Sequence, residues 1–124
     1  MRVLTVAAAA ALLSLPAMAQ VSTRSFEPAT AGEFAALCNT AATDPSYAEA
    51  MGFCRGMGRG AWEYHREITP ANAQRIVCPP SPLPADADLR ARFLAWTKAD
   101  ARNAAQRPVE GLFRFLSTTF PCPR

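Results

Sequence analysis

Apolar residues recur at helical spacing in four stretches of this chain. Phe34, Leu37, Cys38 and Ala41 stand at i, i+3, i+4 and i+7 behind Thr30-Ala31-Gly32-Glu33. That tetrad is a capping box: the threonine hydroxyl accepts from the Glu33 amide while the Glu33 carboxylate reaches back. A first amphipathic helix to about Ala42 follows. Thr43-Asp44-Pro45 breaks it and starts a second, with Asp44 as N-cap and Pro45 in the first turn. Its apolar lines are Tyr47, Met51 and Cys54, then Ala50, Phe53, Met57, Ala61 and Tyr64, and Thr69-Pro70 stops it near Ile68. Thr69 or Asn72 is placed to cap a short turn carrying Ile76 and Val77. Asp86 or Asp88 opens a third helix with Leu89, Phe93 and Trp96 inward and Arg90, Arg92 and Lys98 outside. Arg107-Pro108 opens a fourth, with Val109, Leu112, Phe113 and Leu116 on its inner stripe. No alternating β-branched run occurs, so the pattern predicts an all-α domain, a compact bundle of about four helices. The polar lead from Gln20 to Pro28 reads as mobile. Cys78-Pro79-Pro80-Ser81-Pro82-Leu83-Pro84 reads as a stiff, extended connector.

The second stretch has an unusual feature. Gly52, Gly56, Gly58 and Gly60 are four of the chain's six glycines. Gly52, Gly56 and Gly60 are each four apart and form one bare ridge on a helix. Each costs that helix about 1 kcal/mol relative to alanine. The expected compensation is close approach of a neighbouring backbone, which makes the second helix the central one and these three glycines helix-packing positions.

The chain has 124 residues, room for one domain. Met1-Arg2, the apolar run Val3 to Leu15 and Ala17-Met18-Ala19 have the form of a cleaved export signal. The apolar run is too short for a membrane span, and no cysteine follows the cleavage site to carry a lipid anchor. The domain division is therefore a signal peptide over 1–19 and one exported, disulfide-bonded helical domain over 20–124, expected in an oxidising compartment. With 13 Lys and Arg against 10 Asp and Glu, the net charge of +3 is too small to argue for nucleic acid or an anionic membrane. Cys38, Cys54, Cys78 and Cys122 are an even set in a small exported chain, which reads as two disulfides. The alternative, a four-cysteine metal site, lacks any C-x-x-C pair. Of the three pairings, Cys38–Cys54 with Cys78–Cys122 fits the helix layout best, because a short turn makes the first two helices antiparallel neighbours.

Candidate chemistry is sparse. His65 is the sole histidine, flanked by Glu63, Arg66 and Glu67, and no nucleophile motif accompanies it. Glu63 and Glu67 share a helix face, where a solvated helix end with an Arg59–Glu63 ion pair is the plainer reading. Met51, Phe53, Met57 and Trp62 sit at core spacing, and core is the better reading than a ligand groove. Arg55, Arg59 and Arg66 make a basic face that serves either a partner or simple solvation. No catalytic residue, metal site or cofactor site is assigned, and an enzyme is not expected.

In order and spacing these elements resemble the Rap/Tai immunity proteins of type VI secretion amidase effectors. The resemblance rests on Cys38 in a capped first helix; Cys54, Gly56 and Gly60 as Cys-x-Gly-x-x-x-Gly; Cys78 and Pro80; the helix from Leu89 through Trp96; Pro108, Leu112 and Leu116; and the terminal Phe120-Pro121-Cys122. It covers nearly the whole chain after residue 19. Gly58, where the family usually carries a bulky apolar residue, and the dense prolines from Pro79 to Pro84 depart from it.

The resemblance implies a periplasmic, non-catalytic protein that binds an amidase toxin and occludes its cleft, with a homodimer among its expected states. It also implies a protruding loop that enters the toxin, for which two segments qualify, Cys78 to Ala85 and Ala101 to Arg107. A preorganised, proline-stiffened loop loses little entropy on binding. Two other classes fit an exported helical domain, a periplasmic stress chaperone and a structural subunit of an envelope complex. The chaperone reading is weakened by having one histidine to titrate near neutrality.

Overall fold

Helix α1 (Ala31–Cys38) is only eight residues long, yet five of them, Ala31, Phe34, Ala35, Leu37 and Cys38, are buried. In the computed structural model, which describes residues 20–123, every other helix packs against it. These are a 3-10 turn at Thr23–Phe26, then α2 (Tyr47–Ile68), α3 (Asp86–Ala99), α4 (Ala101–Ala104) and α5 (Pro108–Thr119). The described residues form five α-helices and no strand, so the all-α reading holds. The proposed export signal, residues 1–19, lies outside the described residues.

The capping box forms as the sequence predicts. Thr30 Oγ1 accepts from the Glu33 amide at 3.2 Å, and Glu33 Oε2 accepts from the amides of Thr30 and Ala29 at 3.3 and 2.6 Å. The helix stops at Cys38, four residues before the expected Ala42. The Asn39 and Thr40 amides turn back to the carbonyls of Ala36 and Leu37. Asp44 caps a turn rather than α2 itself: its Oδ1 accepts from the Ser46 amide at 2.8 Å, and the helix begins at Tyr47.

Two disulfides close the frame, Cys38–Cys54 with Cα atoms 5.3 Å apart and Cys78–Cys122 at 4.9 Å. The first ties α1 to α2. The second ties the start of the connector to the tail, beside a Cys78 amide bond to the Phe120 carbonyl at 2.8 Å. The connector is irregular throughout, contains a cis Ser81–Pro82 peptide, and holds Val77 buried while Ile76 is exposed. The expected helical turn around Ile76 and Val77 is absent from it.

The core is aromatic. Phe93 stands with ring centroids 5.7 Å from Phe34, 5.5 Å from Phe115 and 6.1 Å from Trp96. The lead is not loose: Phe26 meets Phe53 edge-on at 5.7 Å, and with Val21 it covers the small cluster of Leu37, Ala50 and Met51. On α5 the inner stripe is Gly111, Leu112 and Phe115, with Val109 45% exposed. The expected stripe through Val109 and Phe113 is thus rotated. Gly111 sets the rotation, because a Cβ there would lie 2.6 Å from the Ala31 Cβ.

The glycine ridge needs a larger correction. Among the described residues, nothing outside their own helix lies within 4 Å of where a Cβ of Gly52, Gly56 or Gly60 would stand, and all three are exposed. No backbone of another described element approaches them. Only Ala50, Met51 and Cys54 are buried among the 22 residues of α2. The packing glycines are instead Gly111 and Gly32, whose Cβ would stand 3.1 Å from the Ala104 Cβ. The central element is α1 and α2 lies along the outside.

Candidate functional site: a groove between α2, the connector and α3

Because α2 is anchored near its start by Cys54, its remaining length leaves a groove of about 900 Å³ between itself, the connector, α3 and α5. One face of α2 forms its long wall. Tyr47, Met51, Cys54, Arg55, Gly58, Arg59, Trp62 and Glu63 recur at the three- and four-residue steps of one helix face. Pro79, Leu83, Pro84 and Ala85 make the connector's side, and Asp86, Leu89, Arg90 and Phe93 that of α3. Prolines suit the connector to this task, since they hold an extended backbone without ladder hydrogen bonds.

Several residues therefore take different places from those expected. Met51 belongs to a small buried cluster but also lines the groove, and Trp62 is a half-buried groove residue. Phe53 and Met57 pack against the core, in line with their spacing. Gly58 presents open space to the groove, with nothing within 4 Å of its Cβ position. Arg90 is turned inward, its Nη1 donating to the Met51 Sδ at 2.6 Å. Helical periodicity alone left Arg90 on the outer face; the splay of α2 from α3 draws it in.

The charged end of α2 is plainer. Glu63 accepts from Arg66 at 3.3 Å, so the expected Arg59–Glu63 pair is replaced by an i, i+3 pair. His65 packs between Trp62 and Phe113 at centroid distances of 6.0 and 4.8 Å, and Thr69 Oγ1 lies 3.4 Å from its Nδ1. This clamps the end of α2 onto α5. Glu67 is exposed beside it. No group of three His, Cys, Asp or Glu among the described residues is placed to hold a metal ion. No helix among them is long and apolar enough to cross a membrane.

The two candidate loops differ sharply. Ala101 to Arg107, expected as a turn, contains α4 and is fastened to the core. Asn103 Nδ2 donates to the Trp96 carbonyl at 2.9 Å, and the Gln106 carbonyl accepts from the Ala31 amide at 2.7 Å. Asp100 caps α4 through the Arg102 amide at 2.8 Å and pairs with the Arg102 guanidinium at 2.6 Å. The Arg102 side-chain hydrogen bond holds the Asp100 carboxyl below the usual carboxylate range, and Asp100 in turn raises Arg102. Among the described residues the connector carries no such fastening between Cys78 and α3, and Leu83 on it is 57% exposed.

A family model described as Rap1a immunity proteins matches residues 30–122, from the capping threonine to the last cysteine. The chain belongs to the Rap1a immunity protein family. The matched stretch holds α1 to α5, both disulfides and the entire groove. Comparison with curated proteins and with solved structures finds no match.

Proposed function

We propose that this Rap1a-family chain is a periplasmic immunity protein that binds a peptidoglycan amidase delivered by type VI secretion and blocks it by occlusion. The observation that carries the reading is the family match over residues 30–122. The pairing of all four cysteines supports an oxidising compartment, where such an enzyme would act. The leader over residues 1–19 supplies the route there. Inhibition of this kind requires no nucleophile, base or metal of its own. It requires a rigid surface, which two disulfides and a proline-stiffened connector supply at low entropic cost on binding. Of the two candidate loops, the connector is the better one to meet the toxin, since it is exposed and borders the groove while the α4 segment is tied to α1.

The test is protection in the right compartment. An amidase effector encoded beside this gene is expressed in the periplasm with the full-length protein, with a form lacking residues 1–19, or with neither. Survival with the full-length form alone, together with a stoichiometric complex and no hydrolysis by the protein itself, is expected. Equal lysis in all three and no complex on co-purification would overturn the immunity role.

A further inference from the structure

The groove is apolar on its floor and cationic on its rim. Met51, Trp62, Phe93 and Leu116 contribute to the floor, and five charged residues line the whole: Arg55, Arg59, Arg90, Glu63 and Asp86. The two carboxylates do not neutralise the three arginines. Glu63 is held by Arg66, and Asp86 stands in the first turn of α3, where the helix dipole favours a negative charge. None of the three arginines forms an ion pair among the described residues. Arg55 Nε donates to the Met51 carbonyl of its own helix at 3.3 Å, and half-buried Arg90 finds only the Met51 thioether. A thioether is a weak acceptor, and a guanidinium has five donors in a fork shaped for a carboxylate.

We propose that this groove is the docking site for an acidic segment of the effector. Apolar side chains of that segment lie on the floor, and its carboxylates meet Arg55, Arg59 and Arg90. The identity of the partner rests on the functional reading above; the chemistry of the segment rests on the groove. From Tyr47 to Glu63 the wall of α2 runs about 24 Å at the helical rise, the length of a polypeptide segment rather than of a small molecule. Charge argues against one other occupant, since residues 1–19 contain no Asp or Glu; a second copy of the chain is separated by the oligomeric state measured below. A nucleic-acid strand needs an unbroken cationic track, and here Glu63 and Asp86 stand among the three arginines of a chain with a net charge of only +3.

The exported, oxidised protein is titrated calorimetrically with amphipathic peptides of about sixteen residues, the helical length of the groove. One is built of Leu and Glu, one of Leu and Lys, and a single-stranded oligothymidylate serves as the third probe. The Leu/Glu peptide is expected to bind about tenfold or more tightly than the Leu/Lys peptide, and Arg55→Glu/Arg59→Glu to abolish that preference. Both arginines are exposed and outside any ion pair among the described residues, so the variant should stay folded, its melting temperature lowered only by the like-charge i, i+4 contacts among positions 55, 59 and 63. Gly58→Leu, which plugs the groove without changing charge, should weaken Leu/Glu binding while leaving the melting temperature equal or higher. Absent Leu/Glu binding, equal binding of the two peptides, or equally tight binding of the oligonucleotide would overturn the proposal. So would a charge-reversed variant that merely converts a dimer to monomer, which would make a second copy the occupant. A parallel titration uses the amidase effector. If the parent protein binds it and both variants bind it unchanged, the groove proposal falls and the immunity role stands. If the parent does not bind it but keeps its peptide preference, the immunity role falls and the acidic-segment preference of the groove stands.

Discussion

Gly111 and Gly56 show how the same residue type takes opposite roles on two helices. At Gly111 an added methyl would press on Ala31, whose amide is fixed to the Gln106 carbonyl at 2.7 Å. Ala31 has no flexible end to move aside. Gly111→Ala is therefore expected to lower stability by about 1–2 kcal/mol, overpacking outweighing the gain in helix propensity. Gly56 faces open space, so propensity acts alone there and Gly56→Ala should raise stability by up to about 1 kcal/mol. Urea denaturation of the two variants checks both signs. A destabilised Gly56→Ala would mean that something packs on the ridge after all. Glycine spacing along α2 was legible in the sequence, but what stood beside each glycine was not, because a bare ridge reads identically whether it is covered or exposed.

At the scale of elements, α1 does most with least. Eight residues are too few to be helical alone in water, so its stability comes from its cap and its neighbours. Thr30→Ala removes the hydroxyl that satisfies the Glu33 amide and should cost about 1 kcal/mol. The expected sign is a lower urea midpoint with an unchanged slope. The Asp100 cap on α4 carries a pH signature. Its carboxyl is held below the ordinary value of 3.8 by the hydrogen bond from Arg102, so its contribution is present above that value and lost as pH falls through the folded one. Stability of Asp100→Asn and of the parent should therefore differ at neutral pH, begin to converge as pH falls past 3.8, and meet only below the lowered folded value. The exposed setting keeps that difference small. The cap at Thr30, the proline opening α5 and the C-terminal stop of α2 were all readable, since each depends on residues within a few positions. The α5 stripe was not: its apolar residues permit two faces, and the crossing with α1 at Gly111 selects one.

Across the whole molecule, the two disulfides close loops of different length, 16 and 44 residues apart in sequence. In the chain-entropy model the longer contributes about 4 kcal/mol and the shorter about 3 kcal/mol. Cys78→Ser with Cys122→Ser should lower stability by up to about that larger amount and also free the connector from the tail. Because Pro79 and Leu83 form one wall of the groove, limited proteolysis should then cut the connector first. Cleavage elsewhere at equal rate would show that the backbone bond from Cys78 to Phe120 anchors it sufficiently alone.

The sequence by itself determined what depends on local chemistry and order. That comprises the helical class, the Thr30 cap, the extended connector and, through the order of these parts, the family, while the favoured one of three cysteine pairings was settled by the fold. Tertiary structure decided which helix is central, which glycines pack, where Arg90 and Trp62 point, and that a groove lies between α2 and α3. The reason is physical. Periodicity reports which side of a helix is apolar, and α2 has two apolar lines. Only the crossing of α1 with its neighbours settles that the line through Tyr47, Met51 and Cys54 meets the core at its start and then opens a groove.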